Sequence, residues 1–387
     1  MAKASMKTRQ EIINRHRVRY RKATKKQKGE ILNSVCMDTG LSRDRAARLL
    51  SGEAVIKKRL ESKRRGRRRQ YGDDVVCALR ALWPIADFIC GKRLVCAMPD
   101  LLDAMGRFGE IDFGDATMKK LRRISASTID RLLKKDRDRM RLKGRSTTKP
   151  GTLLKKQIPL RLGTEWDDAE PGFVEVDLVA HCGPTTTGEY INTLNVTDIS
   201  SGWTEPMAVI NKAQRFVFNA LMEIEKRQPF EYKGIDSDNG AEFINEHLLR
   251  YCRQEKIAFT RTRPYQKNDN CHIEQKNWTW VRNNIGYGRY EGAEALETLN
   301  EIYALLRLHV NFFLPSTKIV SRVRDGARIR KTYEKPMTPY RRLLCSDLIP
   351  TETKENLTQT FLSLNPAQLK RDIMELLQKL ETLRVPS

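Results

Sequence analysis

Three acids stand out among the carboxylates of this chain: Asp177, Asp238 and Glu274, the last two with 35 residues between them. Asp177 closes the run Glu175-Val176-Asp177 inside an otherwise apolar stretch, where an acid is costly unless something compensates it. Asp238 sits in Asp236-Ser237-Asp238-Asn239-Gly240, and Gly240 permits a sharp exit from that segment. Glu274 lies in Asn270-Cys271-His272-Ile273-Glu274-Gln275-Lys276-Asn277. Converging carboxylates suit hard divalent cations, which take oxygen ligands and keep room for water and phosphate. Two such ions roughly 3.5–4 Å apart can activate a water or hydroxyl and stabilise the leaving oxygen of a phosphodiester. Taken singly, each acid has a plainer reading: a strand-edge acid, a turn residue, a solvated helical glutamate. Glu175 and Asp236 are weaker ligand candidates, because like charge beside the others would raise neighbouring pKa values. His181 and His272 read as structural or supporting groups.

The elements around these acids have a definite order. Phe173–Ala180, Tyr190–Ile199 and Trp203–Ile210 read as three strands, with Gly188 and Gly202 near the turns. A helix follows from Lys212 to Lys226, with Phe216, Ala220 and Ile224 on one side. Tyr232–Asp236 is a short strand, Glu242–Glu255 a helix and Ile257–Thr260 a strand. Helices then run from about Asn270 to Asn283 and from Ala293 to Asn311. Three strands, helix, strand, helix, strand, helix is the order of an α/β, ribonuclease-H-like domain. It places Asp177 on the first strand, Asp238 just after the fourth, and Glu274 on a later helix.

The rest of the chain is strongly basic. The 387 residues carry 72 Lys and Arg against 48 Asp and Glu, a formal net charge of +24, which favours a polyanionic partner. No apolar run is long enough to span a bilayer, and the start, MAKASMKTRQ, has no apolar signal-peptide core, so no membrane partner is expected. The eight cysteines form no C-x-x-C pair, which argues against a zinc site or a disulfide framework. Residues 1–62 hold a helix-turn-helix candidate. Ile31, Leu32 and Val35 fit one helical face, Gly40 breaks the helix, and Ser42 can cap a second helix whose Arg43, Arg45 and Arg48 could meet DNA. Residues 63–70 form a basic linker in which Arg64, Arg65, Arg67, Arg68 and Arg69 suit phosphate or minor-groove contact. Residues 71–145 read as a second helical, helix-turn-helix region. There Val75, Val76, Leu79 and Leu82 form a stripe, Ser125 or Ser127 opens a helix, and Lys134 and Lys135 stand near its end. A linker at 146–168 leads to the core at 169–315. The tail, 316–387, begins with Lys318, Arg322, Arg324, Arg328, Arg330 and Lys331 and ends in an amphipathic helix striped by Leu369, Ile373, Leu376, Leu377 and Leu380.

The region 170–315 resembles the integrase core of the Asp-Asp-Glu family, shared by retroviral integrases and bacterial insertion-sequence transposases. Asp177, Asp238 and Glu274 match the family's acid on the first strand, its acid in an Asp-Asn-Gly-like turn, and its glutamate after 35 residues. Arg263-Pro264-Tyr265 resembles the Pro-Tyr segment before the glutamate, Asn277 the asparagine three residues after it, and Asp198, Ser201 and Gly202 the segment between the second and third strands. Lys267-Asn268-Asp269-Asn270 is similar to a stretch found in a subset of bacterial transposases. Cys271 stands where a glycine is frequent, and Trp278 where retroviral integrases carry a basic residue, a role that Lys276 or Arg282 could take. The retroviral N-terminal zinc module is absent, since the N-terminal third has only His16.

The resemblance implies a transposase. Asp177, Asp238 and Glu274 would hold two Mg²⁺ or Mn²⁺ ions, cleave the terminal phosphodiester of an element with water, and join the freed 3′-hydroxyl to target DNA. Double-stranded DNA, as terminal repeats and as target, is the implied partner, with Tyr265, Lys276, Asn277 and Arg282 as contacts near the site. Residues 1–145 are expected to recognise the ends. A homo-oligomer is expected on DNA, with the leucine stripe and the helix at 293–311 as candidate contacts, in a bacterial cytoplasm and close to the nucleoid.

Overall fold

The computed structural model describes residues 6–52, 70–140, 170–237, 246–261, 273, 276–326 and 328–386. The chain divides into two compact units, Met1–Gln70 and Tyr71–Ser387.

In the first unit, α1 (Met6–Lys22), α2 (Lys25–Thr39) and α3 (Arg43–Ser51) surround a small apolar core. Thr24 and Gln27 form a reciprocal capping box at the start of α2. At its end Gly40 takes φ 65°, a left-handed conformation that glycine adopts without a Cβ penalty. Ile31, Leu32 and Val35 face inward as their spacing requires and meet Ala46, Leu49 and Leu50 of α3. Ile13 of α1 is fully buried in the same core. Arg17 and Arg21 donate to the carbonyls of Leu49 and Ser51, at 3.0 and 2.9 Å, and so satisfy the last turn of α3.

The second unit opens with α4 (Asp73–Ile85), α5 (Gly91–Arg107), α6 (Asp115–Arg123), α7 (Ala126–Leu132) and α8 (Lys134–Met140). Ser125 caps α7 by accepting from the N–H of Thr128. A five-stranded sheet follows: β1 (Phe173–Ala180), β2 (Asn192–Asp198), β3 (Thr204–Val209), β4 (Gly234–Ser237) and β5 (Ala258–Arg261), in the order β3-β2-β1-β4-β5. β1, β2 and β3 run antiparallel to one another, while β4 and β5 are parallel to β1. The helices α9 (Gln214–Glu225) and α10 (Glu246–Gln254) precede β4 and β5 in the chain, as parallel crossovers require. This is the element order expected of a ribonuclease-H-like domain.

Period-two alternation sorts the sheet into two unlike faces. Val174, Val176, Leu194, Val196 and Ile235 pack against Val217, Leu221 and Ile224 of α9 and Leu248 of α10. The opposite face carries Glu175 and Asp177 on β1, Thr193, Asn195 and Thr197 on β2, and Asp236 on β4. A polar row on a central strand is tolerable only if its members are hydrogen-bonded, since each buried group left unpaired costs about 1–3 kcal/mol.

Beyond the sheet, a π-helical turn (Asn277–Arg282) runs into the short α11 (Asn283–Ile285), then α12 (Gly292–Phe313). A two-stranded hairpin of β6 (Ile319–Asp325) and β7 (Arg328–Tyr333) is followed by α13 (Pro339–Cys345), α14 (Thr351–Ser363) and α15 (Pro366–Thr382). Residues 71–145 were read above as a second helical, helix-turn-helix region; their described part, 71–140, shares one apolar core with α12 to α15. Arg341 pairs with Asp100, Arg371 with Glu110 at 2.6 Å, and Lys370 with Asp87, so ion pairs join these distant stretches as well. The leucine stripe of α15 and the inner face of α12, both expected as contacts between copies, pack against each other within the chain. Leu369, Ile373 and Leu380 are buried there, while Leu376 and Leu377 of the same stripe are half-buried. Among the described residues no helix is long and apolar enough to cross a membrane.

Candidate active site

Asp177 lies in the middle of β1 with its Cα opposite that of Asn195 on β2, one residue past the last described β1–β4 pair. Its carboxylate is held from two directions. The N–H of Leu178 donates to Oδ1 at 2.8 Å, and Nδ2 of Asn277 donates to Oδ2 at 2.6 Å. Asn277 is fixed in turn, because its Oδ1 accepts from Nδ2 of Asn195 at 2.8 Å. Oδ1 of Asn195 is buried and has no hydrogen-bond partner among the described residues.

Glu175, two residues back on the same face, is 3% exposed, and its Oε2 accepts from the N–H of Ile273 at 2.9 Å. Residues on both sides of Glu274 are therefore bonded to acids of β1: Ile273 to Glu175, and Asn277 to Asp177. A buried acid that binds a backbone N–H about a hundred positions away has no signature in local sequence. The nearest available signal is that Glu175 and Asp177 share strand parity with Asp236.

The β1–β4 ladder runs Glu175 beside Asp236, then Val176 beside Ser237. The next residue of β1 is Asp177, and the next residue after β4 in sequence is Asp238. Asp238, Glu274, Tyr265 and Arg64, Arg65, Arg67, Arg68 and Arg69 lie outside the described residues. Among the described residues no three acids, histidines or cysteines gather into a metal cage. What is described suits a hard cation in donor type, since Asp177 offers carboxylate oxygen and its orientation is set by N–H donors. Asp236 is otherwise engaged, accepting from Oγ1 of Thr260 at 2.6 Å.

The remaining candidates divide by burial. Lys276 turns inward, and its Nζ donates to the carbonyl of Gly202 at 3.0 Å. Burial, with Arg342, Arg93 and Lys318 nearby, pushes its ammonium down to about 7. Arg282 donates to the carbonyl of Ala180 at 2.9 Å and lies over the ring of Tyr287. Trp278, beside Asn277, is 61% exposed. Arg43, Arg45 and Arg48 of α3 and Lys134 and Lys135 of α8 are exposed, with Arg43 also bonded to Asn33.

Asp198, in the segment that resembled the family's second-to-third-strand turn, is a structural acid. It is fully buried and accepts from Gly172 N at 2.9 Å and from both Ser201 N and Ser201 Oγ at 2.6 Å, while burial raises its carboxyl above the usual range. Gly202, with φ 72°, completes that turn.

His181 is structural too. It is fully buried, its Nε2 lies 2.7 Å from Oγ1 of Thr193, and Thr193 in turn lies 2.6 Å from the hydroxyl of Tyr303. Burial first, then the charge of Arg282, pushes the imidazole down to about 3. The unfolded chain therefore binds a proton between pH 6.5 and 3 that the folded chain does not. The stability owed to neutral His181 is fully present above pH 6.5 and is lost as pH falls through that window. The loss should be on the order of a few kcal/mol. Urea midpoints measured from pH 7 to 4 should fall less steeply for His181→Gln than for the parent chain, and parallel curves would show that His181 does not titrate this way.

No family model matches the chain. It is 38% identical over 344 residues to the uncharacterized protein y4rM of Sinorhizobium fredii (strain NBRC 101917 / NGR234), covering 88% of this chain and 96% of that protein. Among solved structures, the HTLV-2 integrase catalytic core domain in complex with magnesium matches 38% of this chain and 92% of its own, at 12% identity and a TM-score of 0.30. The catalytic core domain of BIV integrase matches 44% and 91%, at 15% identity and a TM-score of 0.29. Scores of this size lie below those at which a shared overall fold follows.

Proposed function

This chain belongs to the same family as the Sinorhizobium fredii protein y4rM, and we propose that it is a metal-dependent DNA transposase that cleaves and joins DNA ends at Asp177, Asp238 and Glu274. One observation carries the reading. The two residues that flank Glu274 at 273 and 277 are bonded to Glu175 and Asp177 of β1, which brings together segments that the spacing of the three acids had linked. In sequence Asp238 is the residue after β4, whose last described pair with β1 is Ser237 beside Val176, the residue before Asp177.

Divalent ions bound by these carboxylates would supply an activated water or 3′-hydroxyl and a stabilised leaving oxygen. The chain's own part is positioning. Asn277 and the N–H of Leu178 hold the Asp177 carboxylate in one rotamer, so little reorganisation is needed when a metal binds. Glu175 spends its oxygen on the backbone of Ile273 and so ties the glutamate-bearing segment to β1. Asp198 and Lys276 both anchor the Ser200–Gly202 turn, the former on the strand side and the latter from the residue before Asn277. The exposed arginines of α3 are proposed as contacts for element ends, and double-stranded DNA and further copies of the chain as partners.

The test is direct. The purified chain, incubated with oligonucleotides carrying the ends of its own element and a supercoiled target, should release cleaved 3′ ends and then joined products with Mg²⁺ or Mn²⁺. Chelation should stop both. Neither product with either metal, on ends that the protein binds, would sink the assignment.

A further inference from the structure

Among the described residues the β6–β7 hairpin forms a two-stranded sheet of its own. Residues 318–335 hold seven Lys and Arg against two acids, Asp325 and Glu334. Both faces are open to solvent. In the ladder Arg330 lies opposite Val323 on one face, while Arg324 and Lys331 belong to the other. All four side chains are exposed, Val323 by 57%, and Val320 nearby by 68%. A lone two-stranded ribbon is marginal in water, and apolar side chains on it gain nothing from solvent.

Its root is held firmly. Glu334 accepts from the N–H of Lys318 at 3.1 Å and from Nε of Arg342 at 3.0 Å. Lys318 donates to the carbonyl of Ser200 at 2.6 Å, and Arg342 to that of Ser201 at 3.0 Å. These are residues of the turn whose Gly202 carbonyl accepts from Lys276. The ribbon is thus rooted on the turn gripped by the residue before Asn277, and among the described residues its far end packs against no other element.

We propose that the β6–β7 ribbon enters the major groove of duplex DNA and holds it in fixed relation to Asp177. The choice of DNA as the polyanion rests on the proposed function; the need for a polyanion rests on the ribbon's own charge. The major groove, about 12 Å wide, admits a two-stranded ribbon, and apolar side chains such as Val323 can meet thymine methyl groups there. Arginine and lysine on both faces would reach the phosphates on either side of the groove.

Binding of the full chain to a labelled duplex is measured without metal, so a failed active site cannot affect the result. Charge reversal at three positions (R324E, R330E and K331E together) should weaken duplex binding roughly tenfold or more at moderate salt and flatten the plot of log affinity against log salt by about 3. The exchange R324K, R330K and K331R should keep the parent's salt slope. Guanine N7 in a bound duplex should be protected from methylation by the parent chain and exposed with the reversed variant. An unchanged duplex slope in the reversed variant would overturn the proposal. So would an equal loss of affinity for a single strand of the same length, which would show general charge attraction and not a groove fit.

Discussion

Asp177→Asn is expected to lower DNA cleavage and strand transfer by about 10³-fold or more, with Mg²⁺ or Mn²⁺, while DNA binding is retained. An asparagine keeps the volume and one oxygen, which can accept from Asn277 or from the N–H of Leu178 but not from both, so the strand should fold at a modest cost in stability. It loses the charge that a divalent ion requires, and several kcal/mol of transition-state stabilisation go with it. Asp238→Asn and Glu274→Gln should behave alike. Asp236→Asn is the control that gives this result its meaning. Asp236 pairs across the ladder with Glu175, two residues behind Asp177, a step of about 6.6 Å along the strand. That exceeds a metal–oxygen distance of about 2.1 Å threefold. Its carboxylate already accepts from Thr260. Asp236→Asn should therefore keep substantial activity, with a modest loss of stability. If Asp236→Asn is inactive while Asp238→Asn still cleaves, the site has been read one strand step out of place.

Strand order was legible because alternation and turn residues are local properties. Phe173–Ala180 forms β1 with the bounds its pattern suggested, and the later strands shift by only a residue or two. Asp177 was legible because an acid inside an apolar strand needs a reason. The part played by Glu175 was not, because its partner is the N–H of a residue 98 positions away. Backbone donors leave no trace in composition. The packing of the helices at 71–140 was not legible for a similar reason. Their apolar stripes fit a free-standing bundle equally well, and only tertiary structure shows that α15 and α12 complete their core. The leucine stripe of α15 has the pattern of an interface in either case, since apolar area buried within one chain or between two chains looks alike in sequence. Lys276 is a third instance. A lysine near an active-site helix invites a reading as a phosphate contact, yet its ammonium is satisfied by the carbonyl of Gly202. That bond depends on the left-handed turn at Gly202, which holds its carbonyl where Lys276 can reach it.

Asn277→Leu is expected to slow cleavage by about 10- to 100-fold, the usual cost of removing a group that orients a metal ligand. The resemblance placed Asn277 among DNA contacts, but both ends of its amide are engaged inside the protein, Nδ2 with Asp177 and Oδ1 with Asn195. It therefore acts on Asp177, and its loss should raise the metal concentration needed for half-maximal rate while leaving the affinity for DNA unchanged. Asn195→Ala removes the outer link and should cost less, since Asn277 can still reach Asp177. Once Asn277 is leucine, adding Asn195→Ala should cost almost nothing, because the two act along one path. Asn277→Asp is the sharpest member of the series. It would set a second carboxylate where an amide now lies 2.6 Å from Asp177, and like charge at that distance makes the pair share a proton. Its metal affinity should be poor at low pH and recover as pH rises and the shared proton leaves, a dependence that the leucine variant should lack. If Asn277→Leu instead weakens DNA binding at an unchanged metal requirement, Asn277 contacts DNA and the chain of amides behind Asp177 is only packing.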